Sequence, residues 1–253
     1  MNFEDLLASE KDWWNFWNTA HRSEDGRDLA STELFGIVAS IVKTLDTGTQ
    51  KRVLEIGCGT GTLSRRLEFS RYRGIDFSPA AIEVARSKAS IVSEPIGVNP
   101  PIYEVGDIHN CDLPHNTFEI VVCVDAVAYF HNQKLALDRM SECLVPNGRL
   151  VLTTINPFVY HRIRRTAQSP LKEGAISRWL TRGSLHNLVT SAGLIIERSF
   201  TVMPRGDKGI LRIVNSPGLN ALFGPAAASR LRNAKERAGL GQYRVIVASK
   251  PMS

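Results

Sequence analysis

The sequence predicts an α/β protein built on one doubly wound, mostly parallel sheet. Between residues 32 and 155, short apolar runs that suit buried strands alternate with segments whose apolar residues recur at helical spacing. The run 118–125 is largely apolar, which favours a central strand covered on both faces. Because successive parallel strands need helical crossovers, this alternation predicts helices on both faces of the sheet.

A glycine-rich turn follows the first predicted strand. The strand 52–56 ends at Gly57, and Gly59 and Gly61 follow in alternation. Glycine suits a turn that bends sharply and brings bare backbone against a ligand. The dinucleotide fingerprint needs its third glycine at the sixth position, where this chain has Thr62. The turn therefore predicts a ligand site that does not seat a pyrophosphate, and hydride transfer with a nicotinamide cofactor is a poor interpretation of it.

The other elements follow from apolar spacing and from turn signals. The segment 32–45 carries apolar residues at i, i+3, i+4 and i+7, which predicts an amphipathic helix. Ser78 and Pro79 suit the N-cap and the first position of a helix. The predicted strands are 52–56, 72–76, 102–105, 118–125, 149–155, 194–202 and 243–248. The predicted helices are 32–45, 62–69, 80–89, 133–144, 184–191 and 226–237.

Composition favours one large globular domain. The chain has 253 residues, and 43% of them are hydrophobic, which is enough for a substantial core. Its four cysteines form no Cys-x-x-Cys pair, so a reduced, cytoplasmic compartment is expected. The first residues lack a basic segment followed by an apolar one, and no run approaches about 18 apolar residues, so neither a secretory signal nor a membrane span is expected. The six histidines lack zinc-like spacing, and no metal site is expected.

The turn and its surroundings resemble the class I S-adenosylmethionine-dependent methyltransferases. In that family an acidic residue precedes Gly-x-Gly-x-Gly at the end of the first strand, and Glu55 and the three glycines match this motif. Glu55 is expected to add negative charge beside the turn. The resemblance is strong over residues 50–155 and holds in outline over 184–250. It implies a Rossmann-like, seven-stranded sheet whose last strand, 243–248, is antiparallel, with S-adenosyl-L-methionine across the carboxyl ends of strands one, two and four.

Further site residues lie at the ends of later strands. Asp76 follows Gly57 by 19 residues, near the spacing at which a carboxylate at the second strand's end accepts hydrogen bonds from ribose hydroxyls. The resemblance implies that Phe77 lies against the adenosine, that Asp107 accepts from the adenine amine and that Ile108 packs on the ring. The full predicted cofactor set is Glu55, Gly57, Cys58, Gly59, Gly61, Asp76, Phe77, Asp107, Ile108 and Asp125.

Two segments outside this core are candidates for covering the site. Residues 1–22 hold three of the four tryptophans, which suits either an ordinary packed helix or a lid in which Trp17, His21 or Arg22 reaches the ligand. Residues 161–182 hold six Lys or Arg and one acid, which suits either a solvated face or a surface that attracts anions. The expected organisation is a single domain over 1–253, with an N-terminal lid 1–45, a cofactor-binding core 50–155, a cap insertion 156–182 and a C-terminal part 183–253.

The resemblance also limits the chemistry that can be expected. Methyl transfer from a sulfonium needs alignment more than a fixed catalytic group, so the variable element is the base that takes a proton from oxygen or nitrogen. His131, after strand four, is the first candidate, although a histidine at such a place is more often a helix cap or a surface residue. Tyr129 beside it is a candidate substrate or lid residue. His21 and His161 are lesser candidates.

Missing motifs narrow the range of expected methyl acceptors. The chain has no Pro-Cys dipeptide, and strand four is not followed by Asp/Asn-Pro-Pro-aromatic, so methylation of nucleic-acid bases in those two styles is not expected. The first interpretation is therefore a methyltransferase acting on an O or N atom of a small molecule. The basic segment favours an anionic acceptor. The alternatives are an RNA-modifying enzyme that uses the basic face 161–182 and a protein that binds the cofactor without catalysis. The identity of the acceptor and the oligomeric state stay open.

Overall fold

The part of the chain that the structure describes consists mainly of strands and helices. This computed structural model describes residues 29–45, 51–67, 71–89, 100–161, 179–204 and 224–252, together with residues 211, 213 and 218. The strands are β1 (Arg52–Ile56), β2 (Arg71–Asp76), β3 (Ile102–Val105), β4 (Phe118–Val124), β5 (Leu144–Ile155), β6 (Ile195–Pro204) and β7 (Gly241–Ser249). The helices are α1 (Leu29–Leu45), α2 (Pro79–Ala89), α3 (Gln133–Cys143), α4 (Pro157–Tyr160), α5 (Arg182–Ser191) and α6 (Gly224–Arg237).

The strands form one sheet in the order β3-β2-β1-β4-β5-β7-β6. Strand β1 pairs in parallel with β2 and β4, and parallel pairing continues to β3 on one side and to β5 on the other. Strand β7 is antiparallel to both β5 and β6. The predicted doubly wound, mostly parallel seven-stranded sheet with an antiparallel last strand is confirmed. Its strand order reverses between β1 and β4, and open α/β sheets bind ligands at the carboxyl ends of the strands at such a point.

Helices α1 and α3 belong to two different apolar cores. On α1, Leu34 and Val38 are buried in a cluster that includes Val122 of β4. On α3, Leu137 belongs to a second cluster, which includes Val121 of the same strand. These neighbouring valines face opposite sides, as the two-residue period of a strand requires. The prediction of a central strand buried on both faces is confirmed.

Most predicted elements end within three residues of their observed bounds. The N-cap prediction is confirmed, since the Ser78 hydroxyl oxygen accepts a hydrogen bond from the Ala81 amide at 3.3 Å. Strand β5 begins five residues earlier than predicted, because Leu144 already pairs with Phe118 across a register shift. Apolar spacing therefore predicts where elements lie, and irregular pairing moves one boundary.

The helix predicted over residues 62–69 is wrong. The described part of this segment holds only a 3₁₀ turn, Ser64–Arg66, and Leu67 after it is extended. The Ser64 hydroxyl donates to the Gly61 carbonyl oxygen at 2.9 Å, which ties the turn back to the glycines. Since β2 begins at Arg71, too little chain remains for a regular helix.

All four cysteines are free thiols, as the sequence led us to expect. None of the described helices is long and apolar enough to cross a bilayer. The predicted lid residues 1–22 lie outside the described part of the chain, and so do residues 162–178 of the predicted cap insertion.

Candidate functional site

Three glycines at the end of β1 have left-handed backbone. The angle φ is +72° at Gly57, +52° at Gly59 and +69° at Gly61. A Cβ at Gly57 would lie 2.5 Å from the Cβ of Ala126, and a Cβ at Gly61 would lie 2.5 Å from the hydroxyl oxygen of Tyr103. Glycine is therefore needed both for the backbone angle and for close packing. The predicted sharp turn is confirmed, and at these two positions the chain's own side chains are the close neighbours.

Asp76 links the end of β2 to this turn. One carboxylate oxygen accepts a hydrogen bond from the Gly59 amide at 2.8 Å, and the other accepts one from the Ser78 amide at 2.9 Å. The side chain is buried, and burial raises its pKa to about 6 although the two amides act in the opposite direction. Asp76 thus organises the turn, and each oxygen retains a lone pair for a further donor.

Glu55 lies under the same turn and is completely buried. The Tyr72 hydroxyl donates a hydrogen bond to its carboxylate. Burial raises the pKa of Glu55 to about 8, and the bond from Tyr72 lowers it only in part. Glu55 is therefore mostly protonated at neutral pH, and the negative charge expected beside the turn is largely absent.

Glu55→Gln is expected to flatten the dependence of stability on pH. Because the folded pKa of Glu55 lies above its unfolded value, the group stabilises the fold fully in acid, and this contribution is lost as the pH rises toward about 8. Urea unfolding of the wild type at several pH values between about 4 and 9 should show this loss. The variant should show only the smaller loss that Asp76 and Asp125 contribute, because burial raises their pKa values as well.

Tyr72→Phe is the matched partner variant. It removes the hydrogen bond that lowers the pKa of Glu55, so the loss of stability should extend to higher pH than in the wild type. A wild-type pH profile in Glu55→Gln would contradict the assignment of this effect to Glu55.

The ends of β2 and β3 meet beside the glycine turn. The Gly106 amide donates to the Asp76 carbonyl oxygen at 2.9 Å, so Asp107 follows a residue bonded to the end of β2. Ile108 is buried, and Phe77 is partly exposed. The predicted cofactor residues that β1, β2 and β3 bring to this edge are Glu55, Gly57, Cys58, Gly59, Gly61, Asp76, Phe77, Asp107 and Ile108.

Cys58 occupies the position between the first two glycines. Its side chain is only 2% exposed, and burial raises the pKa of the thiol well above its ordinary value. The negative charge of Asp76 adds to this rise, and so does that of Glu55 once Glu55 has ionised. The thiol therefore stays protonated and acts as a small apolar side chain.

Asp125 follows β4 in the left-handed region, with φ at +53°. Its amide donates to the carbonyl and hydroxyl oxygens of Thr153, at 3.2 and 3.0 Å, which stabilises a conformation that costs about 1–2 kcal/mol. Its Oδ1 is buried and has no hydrogen-bond partner among the described residues. Burial raises the pKa of Asp125 to about 8, against the effect of the Ile155 amide. Strained backbone and a shifted pKa are both typical of functional positions.

Three buried tyrosines form a group, and one of them, Tyr129, lies near Asp125. Tyr129 lies in the turn after β4, Tyr160 in α4 and Tyr243 in β7. Burial raises the pKa of Tyr129 well above its ordinary value, and Asp125 and the other two tyrosines add to the rise. The sequence predicted Tyr129 as a site residue but not Tyr160 or Tyr243, because these come from distant segments and no local motif marks them.

The predicted base, His131, lies in the same side-chain cluster as Asp107, the predicted adenine contact. It is exposed, and its ring stacks on that of His109 with 3.7 Å between the ring centroids. Nδ1 of His109 in turn lies 2.5 Å from Oδ1 of Asp107. The role of His131 as a base stays a prediction.

The predicted lid residues Trp17, His21 and Arg22 lie outside the described residues, so their relation to the site stays a prediction. The described ends of the predicted cap pack together. The ring of Trp179 lies 4.9 Å from those of Tyr160 and His161, measured between centroids. The ends of the basic segment are thus held beside one of the buried tyrosines.

Sequence comparison identifies relatives of this chain. A family model described as a methyltransferase domain matches residues 30–198. The mitochondrial ubiquinone biosynthesis O-methyltransferase of Schizosaccharomyces pombe is 30% identical over 155 residues, which are 60% of this chain and 54% of that protein. An uncharacterized methyltransferase, YcgJ of Bacillus subtilis, is 27% identical over 185 residues, which are 68% of this chain and 70% of that protein. The match to the first of these relatives spans about half of its length.

Solved structures with a similar fold have diverse functions. A methyltransferase solved in complex with the Trm112 activator of Haloferax volcanii has a TM-score of 0.64 at 15% identity, with 96% of this chain and 97% of that chain covered. The [4+2]-cyclase SpnF has a TM-score of 0.61 at 21% identity, with 91% and 86% covered. At these identities the likeness shows the fold alone, and a cyclase among the neighbours illustrates that fold does not settle the reaction.

Proposed function

Since this chain belongs to the methyltransferase-domain family, we propose that it transfers a methyl group from S-adenosyl-L-methionine to an oxygen or nitrogen atom of a small molecule. The observation that carries the proposal is the junction at the sheet edge, where Asp76 accepts hydrogen bonds from the amides of Gly59 and Ser78. Oxygen is the favoured target atom, because the relative from Schizosaccharomyces pombe and a malonyl-[acyl-carrier protein] methyltransferase of Halorhodospira halophila are both named O-methyltransferases.

The residues present suit this cofactor. Each oxygen of Asp76 can accept from a ribose hydroxyl in addition to its amide. Ile108 offers a buried apolar surface for the adenine ring, and the side chain of Asp107 is 39% exposed and can accept from the adenine amine. The bound cofactor supplies the reactive methyl group, so no residue of the chain has to form a covalent intermediate.

We place the acceptor beside Asp125 and the three tyrosines. Buried side chains exclude water there and orient the acceptor, and such alignment supplies up to about 7–11 kcal/mol of the barrier reduction in the best intramolecular cases. Asp125 can take the acceptor's proton through its unpartnered Oδ1. A base is most effective when its pKa lies near the working pH, and burial raises the pKa of Asp125 to about 8. His131 is the rival base from sequence reasoning.

The remaining parts of the proposal concern partners and location. Six Lys or Arg within residues 161–182 favour an anionic acceptor. RNA modification and cofactor binding without catalysis are not favoured, because the curated relatives above are named as methyltransferases and two of them as O-methyltransferases. Four free cysteines suit a cytoplasmic location.

Two measurements test the proposed function in sequence. Calorimetric titration should show binding of S-adenosylhomocysteine and S-adenosylmethionine and no binding of NADH. Labelled S-adenosylmethionine should then transfer its methyl group to at least one member of a panel of phenols, carboxylic acids and amines. Binding of NADH without binding of the sulfur ligands would contradict the proposal.

Two variants identify the base with the acceptor found in that panel. Asp125→Asn is expected to lower turnover at least about 100-fold while S-adenosylhomocysteine binds within about threefold of wild type. His131→Gln should keep turnover. The reverse result would assign the base to His131, and weaker cofactor binding by Asp125→Asn would make Asp125 a cofactor contact.

A further inference from the structure

Asp107, His109 and His131 bring three metal-ligating side chains together at the rim of the proposed cofactor site. One carboxylate oxygen and one nitrogen from each imidazole lie within 4.8 Å of one another. Asp107 and His109 follow β3, whereas His131 lies just before α3. The sequence showed no zinc-like spacing because these residues meet only where two separate loops pack.

His109 is held in place from both loops. Oδ1 of Asp107 accepts from the His109 amide at 3.0 Å and lies 2.5 Å from its Nδ1. Nε2 of His109 lies 3.1 Å from the carbonyl oxygen of Asn132, the N-cap residue of α3. The side chain of His109 is only 7% exposed, whereas His131 is exposed and can turn toward an ion without displacing a buried neighbour.

The donor set indicates which ions fit. Imidazole nitrogens suit Zn²⁺, Ni²⁺, Co²⁺ and Fe²⁺, whereas Mg²⁺ and Ca²⁺ prefer oxygen ligands. Bonds of about 2.0–2.2 Å to zinc place neighbouring ligand atoms about 3–3.5 Å apart, so modest side-chain movements assemble the site from its present spacing. We propose that Asp107, His109 and His131 bind a divalent transition-metal ion, with Zn²⁺ as the expected occupant and water as the remaining ligand.

An ion at this site joins the loop after β3 to the start of α3. Asp107 can serve both the ion and the cofactor, because Oδ1 faces His109 and leaves Oδ2 for the adenine amine. Metal and cofactor should then strengthen each other's binding, at the lower end of the roughly 5–150-fold range of such couplings. This coupling rests on the proposed function, whereas metal binding itself does not.

Cobalt titration of the tag-free, metal-free full chain tests the site directly. We expect saturable visible absorption at one Co²⁺ per chain, reversed by Zn²⁺. His109→Ala and His131→Ala should each weaken Co²⁺ binding at least about tenfold. His115→Ala is the matched control, since His115 is also exposed and lies 4.0 Å from a carboxylate, that of Glu142, outside the cluster. His131→Ala removes only an exposed side chain, so of these variants it should disturb the fold least.

The outcomes separate the metal site from the proposed function. No absorption in the wild type, or an equal loss in His115→Ala, would overturn the metal site and leave a hydrogen-bonded link between two loops. Calorimetry with S-adenosylhomocysteine should give a lower Kd with Zn²⁺ than without it in the wild type, and no difference in His131→Ala. Zinc binding by a chain that does not bind S-adenosylhomocysteine would support the site and contradict the proposed function.

Discussion

Asp76→Ala is expected to abolish measurable binding of S-adenosylhomocysteine. The carboxylate is buried and accepts two amide hydrogen bonds, one of them from Gly59 of the glycine turn. Hydrogen bonds to a charged group contribute about 1.5–3 kcal/mol each, and about 1.4 kcal/mol is tenfold in affinity. Loss of the ordered turn together with the proposed ribose contact should therefore raise Kd at least about 100-fold, as measured by calorimetry.

A ligand analogue separates the ribose contact from the turn. The wild type should bind the 2′-deoxy analogue of S-adenosylhomocysteine more weakly than the parent ligand, and Asp76→Asn should discriminate much less between the two. Glu104→Gln on the neighbouring strand is the matched control, since its partner is Arg73 and not the turn. Equal discrimination by wild type and Asp76→Asn would remove the ribose role and leave Asp76 as a structural residue.

The framework of this site was predictable because its signals are local in sequence. A β-branched run, left-handed glycines and a Ser-Pro helix start each depend on a few adjacent residues, and Gly57, Asp76 and Ser78 lie where those signals put them. The antiparallel last strand followed from the family resemblance and not from its own residues. Local chemistry thus predicts the edge of the sheet that can hold a ligand.

The properties that the sequence did not reveal depend on packing between distant segments. Glu55 reads as a charged residue, but complete burial against Tyr72 makes it mostly neutral at pH 7. Tyr160 and Tyr243 come from α4 and β7, and they lie near Tyr129, which in turn lies near Asp125. The wrong prediction of a helix over residues 62–69 has the same origin. The short distance that remains before β2 decides the backbone conformation here, and helix propensity does not.

Gly57→Ala is expected to destabilise the fold and weaken cofactor binding together. The left-handed angle costs a residue with a Cβ about 1–2 kcal/mol, and the 2.5 Å approach to Ala126 adds an overlap of about 1–3 kcal/mol. At about 2–4 °C per kcal/mol for a chain of this size, Tm should fall by roughly 4–20 °C. Calorimetry on the folded variant should show weaker binding of S-adenosylhomocysteine, since the new methyl group displaces the turn from the end of β4.

Two further variants divide this loss between backbone and contact. Gly193→Ala has a similar angle, φ +76°, and its new Cβ would meet no atom within 4 Å among the described residues other than its chain neighbours, so it should show the backbone cost alone. Adding Ala126→Gly to Gly57→Ala removes the clashing atom, so it should restore most of the stability that the clash costs. A double-mutant cycle should measure this as a coupling free energy of at least about 1 kcal/mol. Additive effects of the two substitutions would mean that backbone strain dominates at Gly57. Coupling in both Tm and ligand affinity would show that the approach of β4 to the glycine turn shapes the cofactor site.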